Sequence, residues 1–309
     1  MYFRRAEAGY RGVRGEVIRT LQERLTAAGH DTRGLDGIYG QDTENALRSF
    51  QKARGLAVTG RVDQETWQGL MDTPSPVLFD RCLQITGDFE GHGFGKAAGD
   101  FDGAGLTWGI IGFNFKSGTL GLVLGEVDQR SKAILDEAFG NLASELRSVL
   151  DMPRPRQIAW GRSISEGADR RRIRANWDAA FRRLGERPEV KEIQLAYSTR
   201  YWDRALSDAR RLGLKTELGM ALCLDIAVQN GGIDTGRHDP RICARLEAEG
   251  AVPERRVREI IAEVVAQRSS YPDVVLARKM TLATGQGEVN YSRYAIPTWG
   301  LDDIPAAGA

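Results

Sequence analysis

Residues 216–230, TELGMALCLDIAVQN, constrain the fold more than any other stretch. On a helix of 3.6 residues per turn, Leu218, Met220, Leu222, Leu224, Ile226 and Val228 with the alanines and Cys223 between them leave no polar face. A helix of this kind has to be enclosed on all sides, so it is predicted to be the buried centre of a helical domain. Asp225 lies in its middle. An unpaired carboxylate there would be strongly destabilising, so it must be protonated or ion-paired, and Arg278 is the expected partner. Helical periodicity also predicts helices over 77–88, 129–150, 168–185, 188–212, 239–249, 254–268 and 271–283. The strand signal is confined to about residues 105–115. The fold class is therefore α+β, mostly helical, with one small sheet.

The first 73 residues are organised differently. Val17, Leu21, Leu25 and Ala28 recur at helical spacing and Gly29 follows as a stop; a second helix presents Ala46, Leu47, Phe50 and Ala53; a third begins near Asp63 and carries Trp67 and Leu70. GIYGQDTENAL (37–47) and GRVDQETWQGL (60–70) share Gly, Gln, an acid, Thr and Leu at matching positions, 23 residues apart. Each unit is a Gly turn, an acidic helix entry that suits the positive end of the helix dipole, and an apolar face. Pro74, Ser75 and Pro76 then form a short stiff connector. The predicted division is a small three-helix domain over 1–73, a linker over 74–78 and a second domain over 79–309.

Composition removes several function classes. The chain holds 43 Lys and Arg against 42 Asp and Glu, so it lacks the basic surplus that marks a nucleic-acid partner. Arginines 170, 171, 172, 174, 182 and 183 are interleaved with acids and read as a solvated face. No stretch approaches the roughly 18 apolar residues of a membrane span, and the N-terminus has no apolar signal region, so a chain made in the cytoplasm without a secretion signal is expected. Cys82, Cys223 and Cys243 form neither a disulfide framework nor a metal motif, and His30, His92 and His238 stand at no metal-ligand spacing. No cofactor is expected, and the expected state is a monomer.

Residues 84–115, QITGDFEGHGFGKAAGDFDGAGLTWGIIGFNF, carry the chemistry. Glu90 stands at the end of an apolar helical segment; a Gly-rich connector leads to Asp102, flanked by Gly103 and Gly105; a run rich in Ile, Phe and Trp follows. Glycoside hydrolysis needs one carboxylic acid to protonate the leaving oxygen and one carboxylate to act on the opposite face of the sugar. Glu90, after Phe89, suits the acid, and Asp102, in a wetter Gly-rich setting, suits the base. The glycines let a polymer approach the backbone closely. Trp108, Phe94 and Phe115 are candidates to stack on sugar rings, or to pack sheet against helix. His92, two residues after Glu90, lines a cleft or is an exposed loop residue. Asp225 with Arg278 either pins helices together or supports the proton affinity of Glu90 from behind.

Two resemblances sharpen this. Leu21-Gln22, Asp36-Gly37, Tyr39-Gly40, Thr43, Phe50-Gln51, Gly60 and Thr66-Trp67 resemble the three-helix peptidoglycan-binding domain of cell-wall hydrolases over about residues 12–72. That resemblance implies a wall-binding module, with Tyr39 either a glycan contact or a core residue. DFDGAGLTWGIIGF (100–113) resembles the motif around the catalytic Asp of glycoside hydrolase family 46 chitosanases, in the lysozyme superfamily. The similarity continues through 208–233 and 274–290. It implies a lysozyme-like domain with Glu90 as general acid, Asp102 as general base and Thr107 holding the water, in a single displacement with inversion.

The chain departs from those chitosanases in three places. The connector from Glu90 to Asp102 is shorter, SGTLG (117–121) lacks the acid that grips a glucosamine ammonium, and Asn230 replaces a cleft His. The expectation is therefore a muramidase-type peptidoglycan hydrolase, an endolysin released to the wall through a holin. A chitosanase with a wall module is the alternative. A non-catalytic wall-binding or virion protein is the alternative from another class, and it would be indifferent to loss of Glu90.

Overall fold

The computed structural model describes residues 2–91 and 93–306. In chain order the elements used below are strand β1 (Phe3–Arg4), helices α1 (Glu16–Ala27) and α2 (Gln41–Ala53), β2 (Arg61–Val62), α3 (Gln64–Leu70) and α4 (Leu78–Glu90). Strands β3 (Ala97–Ala98), β4 (Thr107–Trp108) and β5 (Phe113–Asn114) follow, then α5 (Thr119–Arg130), α6 (Lys132–Phe139), α7 (Ala143–Leu150) and α8 (Arg154–Ser163). Next come β6 (Ser165–Glu166), β7 (Arg172–Ile173), α9 (Ala175–Glu186), α10 (Pro188–Arg211) and α11 (Glu217–Asn230). The chain ends with α12 (Asp239–Glu249), α13 (Glu254–Gln267), α14 (Pro272–Thr284), β8 (Gln286–Val289) and β9 (Ser292–Ala295). The protein is mostly helical, with small antiparallel sheets. No helix among the described residues is long and apolar enough to cross a membrane.

By contact the chain forms two compact units, Met1–Phe89 with Tyr201–Ala309, and Glu90–Arg200. In the first unit the N-terminal helices are built on a repeated polar device. Gln22 is buried; its Nε2 donates to Asp36 Oδ1 (2.8 Å), the Ile38 carbonyl (3.1 Å) and Thr43 Oγ1 (3.0 Å), and its Oε1 accepts from the Gly37 N–H (2.8 Å). Gln51 does the same one repeat later. It donates to Thr59 Oγ1 (3.3 Å), the Arg61 carbonyl (3.0 Å) and Thr66 Oγ1 (3.1 Å), and accepts from Gly60 (2.9 Å). The paired Gly and Thr of the sequence repeat are thus the partners of two buried amides. Gly37 and Gly60 take left-handed conformations, φ 68° and 64°, which only glycine enters without strain. Asp63 caps α3, accepting from the Thr66 N–H at 2.9 Å.

Replacing Gln51 by Leu strands the Gly60 N–H and the Thr66 hydroxyl in the interior. Each orphaned group costs about 1–3 kcal/mol, so the urea midpoint of the Gln51→Leu protein is expected to fall clearly below that of wild type.

The same unit holds α11, buried along its length from Glu217 to Ala227. Helix α14 packs on α11 and α13, and β8 leaves directly from α14 through Gly285, φ 86°. Asp225 is fully buried and Arg278 is its partner: Nε lies 3.0 Å from both carboxylate oxygens and Nη2 lies 2.6 Å from Oδ1. A second cation, Lys279, also donates to Asp225 Oδ2 and, at 2.7 Å, to Gln229 Oε1. Burial alone would raise the Asp225 pKa, but Arg278 and Lys279 outweigh it and hold the carboxyl below its ordinary value.

The β8–β9 hairpin is a finding that strand signals did not anticipate. Its two turn residues, Asn290 and Tyr291, both have positive φ (50° and 62°), the hairpin turn geometry that usually announces itself as Asn-Gly. Here Asn290 is held by its side chain, whose Nδ2 donates to the Phe89 carbonyl at 3.1 Å. The N-terminal segment ties to the hairpin and to α4. Arg11 N–H donates to the Arg293 carbonyl (2.6 Å), its guanidinium grips Asp88 in a forked pair, and Tyr294 Oη donates to Asp88 Oδ2 (2.7 Å).

The second unit is centred on aromatic rings. Trp160 and Trp177 meet edge to face at 4.8 Å, Phe139 and Phe181 at 5.0 Å, and Trp108 lies 5.6 Å from Phe181. The single helix expected over 129–150 is instead three pieces. Ser131 is extended (φ −159°) between α5 and α6, and Gly140 (φ 54°) ends α6. Helix α8 was not expected, and α9 starts later than 168 because residues 165–173 form the β6–β7 hairpin.

Candidate active site

Glu90 is the last residue of α4 and is half-buried. The chain then turns at Gly91 (φ 62°), whose carbonyl accepts from Lys96 Nζ, and enters β3. Strand β3 pairs antiparallel with β4, Ala98 opposite Thr107, and β4 pairs with β5, Thr107 opposite Asn114. Thr107 is thus the middle rung of the three-stranded sheet, and 8% of it is exposed. Asp102 sits in the loop between β3 and β4. It is exposed, and its Oδ1 accepts from the Ala104 N–H at 3.0 Å, an Asx turn that fixes the carboxylate over its own loop. Glu90, Asp102 and Thr107 therefore belong to one unit and to one continuous stretch of helix end, sheet and loop.

The loop owes its shape to a residue that spacing did not nominate. Asp100 is buried; its Oδ1 accepts from the Gly105 N–H (2.8 Å), its Oδ2 from Arg162 Nε (2.5 Å), and its own N–H donates to Ser165 Oγ (2.9 Å). Of the two acids in DFD, the first is consumed in structure and the second faces water. Gln194, fully buried on α10, braces the other side: Oε1 accepts from the Ile110 N–H (3.0 Å) and Nε2 donates to the Phe94 carbonyl (2.9 Å).

The two glycines beside Asp102 have different duties. Gly103 (φ 78°) would meet nothing with an added Cβ, so its side of the loop is open. Gly105 (φ 81°) faces α8, where a Cβ would lie 2.7 Å from Ile158 Cα, and a Cβ on Gly161 would lie 2.6 Å from the Gly105 carbonyl carbon. The close approach that Gly105 permits is that of a helix, which corrects the expectation that it serves a polymer. Gly105→Ala is expected to cost about 2 kcal/mol or more through left-handed strain and the clash with backbone. Circular dichroism melts and activity measured on the same preparation check it.

Several sequence candidates need correction. Trp108 is fully buried, with its indole N–H donating to the Phe181 carbonyl (3.2 Å), and Phe115 is equally buried; neither ring is presented to a sugar. Tyr39 is 1% exposed and its hydroxyl donates to the Gly60 carbonyl (3.2 Å), so it is a core residue of the N-terminal helices, not a glycan platform. Burial raises the pKa of its phenol far above the ordinary value. His92 lies outside the described residues. Asn230, at the end of α11, is half-buried, and its Oδ1 is shut off from solvent with no hydrogen-bond partner among the described residues. Asp225 and Arg278 lie in the first unit, bonded as described above. Among the described residues no cluster of three or more His, Cys, Asp or Glu side chains forms a metal site.

Comparison with known proteins bears on the two regions separately. Over 61 residues the chain is 43% identical to the spore cortex-lytic enzyme of Bacillus cereus, a match covering 20% of this chain and 24% of that one. Over 56 residues it is 43% identical to the N-acetylmuramoyl-L-alanine amidase CwlM of Mycobacterium tuberculosis, covering 18% of this chain and 14% of that one. The chain thus spans at most 24% of the length of these curated relatives. Among solved structures it is similar to a family 46 chitosanase of Gynuella sunshinyii in complex with chitotetraose, with a TM-score of 0.47 and 17% identity over 69% of this chain and 88% of that one. Residues 14–70 match the family described as "Putative peptidoglycan binding domain", and the chain carries a domain of that family near its N-terminus.

Proposed function

We propose that this protein is a cell-wall hydrolase of muramidase type, which binds peptidoglycan through its N-terminal helices and hydrolyses the bond between N-acetylmuramic acid and N-acetylglucosamine. The observation that carries this reading is one chain that joins a peptidoglycan binding domain to a helix end, loop and strand bearing Glu90, Asp102 and Thr107. In this scheme residues 1–73 are the binding domain, 74–78 the linker and 79–309 the catalytic domain. Glu90, half-buried at a helix end, protonates the glycosidic oxygen. Asp102, exposed in the loop, takes the proton of a water that Thr107 helps to orient, and the water attacks the anomeric carbon from the opposite face. In that event the glycosidic C–O bond breaks, the water oxygen bonds to the anomeric carbon, and each carboxyl group exchanges one proton. The chain's proposed role is that of an endolysin acting at the wall.

Digestion of purified peptidoglycan and, separately, of chitosan tests this reading, with product ends identified by mass spectrometry. Products ending in reducing N-acetylmuramic acid are expected. Activity on chitosan alone would overturn the assignment of substrate.

A further inference from the structure

A cavity of about 470 Å3 opens in the first unit where three segments converge. They are the end of α11 with the turn Asn230–Gly232, the segment Asp234–His238 that leads into α12, and the end of α13 at Gln267–Ser269. Arg204, Arg237 and Arg268 line it against one acid, Asp234. Arg204 is already engaged, with Nε on Asp208 Oδ2 (3.0 Å) and Nη2 on the Ile233 carbonyl (2.6 Å). Asp234 is turned into its own loop, where Oδ1 accepts from the Gly236 (2.9 Å) and Arg237 (2.8 Å) N–H groups. Arg237 and Arg268 are exposed, and neither forms a side-chain ion pair within 4 Å among the described residues, although Arg237 acts on Asp234 through space.

His238 adds a donor of another kind. It is buried, and its Nδ1 accepts from the Asp234 N–H at 2.8 Å, which leaves the ring proton on Nε2. Burial, against the opposing pull of Asp234, holds the imidazole below its ordinary pKa, so at neutral pH it is an uncharged N–H donor. The lining is therefore rich in donors and surplus in positive charge. An ammonium-bearing sugar is repelled by it, whereas a carboxylate is matched by forked guanidinium bonds.

We propose that this cavity binds the acidic peptide stem carried by muramic acid, its carboxylates held by Arg237 and Arg268 and an amide carbonyl by the Nε2–H of His238. The proposal rests on the cell-wall reading above and supplies what that reading lacks, a feature that separates peptidoglycan from unsubstituted glycans.

The test is calorimetric titration of full-length Glu90→Gln protein, which leaves the oligomers uncleaved, with N-acetylmuramoyl dipeptide, N-acetylglucosamine oligomers and inorganic phosphate. Arg237→Ala/Arg268→Ala and Arg237→Lys/Arg268→Lys are made in the same background. The muramoyl dipeptide is expected to bind, at least tenfold more weakly after the Ala changes and with partial recovery after the Lys changes, while the affinity for the neutral oligomer is the same in all three proteins. Equal affinity in the Ala double variant overturns the proposal, and so does phosphate binding as tightly as the dipeptide. The two readings fail separately. If the protein with Glu90 intact cleaves no peptidoglycan but the dipeptide affinity still depends on Arg237 and Arg268, the hydrolase assignment falls and the cavity stands.

Discussion

Glu90→Gln is expected to lower the rate of peptidoglycan hydrolysis by about 10³-fold, within the range that general acid catalysis contributes. The substitution keeps the length and polarity of the side chain and removes only the proton that the leaving oxygen needs. Glu90 is half-buried at the last position of α4, where the amide is accommodated without a new cavity, so any loss of stability should stay within the roughly 0.5–3 kcal/mol of an ordinary single substitution and leave the protein folded at the assay temperature. Sedimentation of the variant with insoluble walls should be unchanged, since the match to the peptidoglycan binding domain ends at residue 70. A non-catalytic wall-binding protein predicts the contrary, with no function lost. Asp102→Asn is expected to follow the same pattern, whereas Asp100→Asn should act through stability, because the buried Asp100 carboxylate accepts from the Gly105 N–H inside the loop and pairs with the exposed Arg162.

The second large effect is structural. Asp225→Ala leaves Arg278 and Lys279, both buried, without the carboxylate that each contacts in the middle of α11. Removing one partner of a buried ion pair costs about 3–5 kcal/mol, far above the roughly 0–1 kcal/mol of an exposed pair. A fall of about 10 °C in melting temperature is expected. The pH dependence follows from the direction of the Asp225 shift. Its folded pKa lies below the unfolded value of about 3.9, so its contribution is complete above that value and is lost as pH falls through the folded pKa. The stability gap between wild type and Asp225→Ala should thus be constant from neutral pH down to about 5 and narrow below about 4. Denaturant melts at a series of pH values measure it.

What the sequence made legible follows period and charge. The all-apolar period of 216–230 announced a buried helix, and the cost of a lone carboxylate within it pointed to Arg278; Lys279, the adjacent residue, was missed because nothing in spacing says that one acid takes two cations. The Gly and Thr of the N-terminal repeat were visible as a pattern, but their partners, Gln22 and Gln51, stand outside the repeated strings and meet them only in three dimensions. The aromatic residues misled for a physical reason. Tyr39 and Trp108 each pair an apolar ring with one polar group, and that group finds a backbone carbonyl inside the fold as readily as a sugar outside it. Gly105 was legible as a necessary glycine, not as the seat of α8, because that helix comes from residues more than 45 positions downstream. The hairpin at 286–295 escaped because Asn290-Tyr291 takes a turn geometry that strand signals associate with glycine.

The most direct test of hydrolysis by Glu90 and Asp102 is digestion of peptidoglycan in H₂¹⁸O, with the muropeptide products analysed by mass spectrometry. One ¹⁸O is expected at the anomeric position of each new reducing N-acetylmuramic acid, with no product above background from Glu90→Gln. Unlabelled 1,6-anhydro ends, or labelled products formed equally by the variant, would contradict that mechanism.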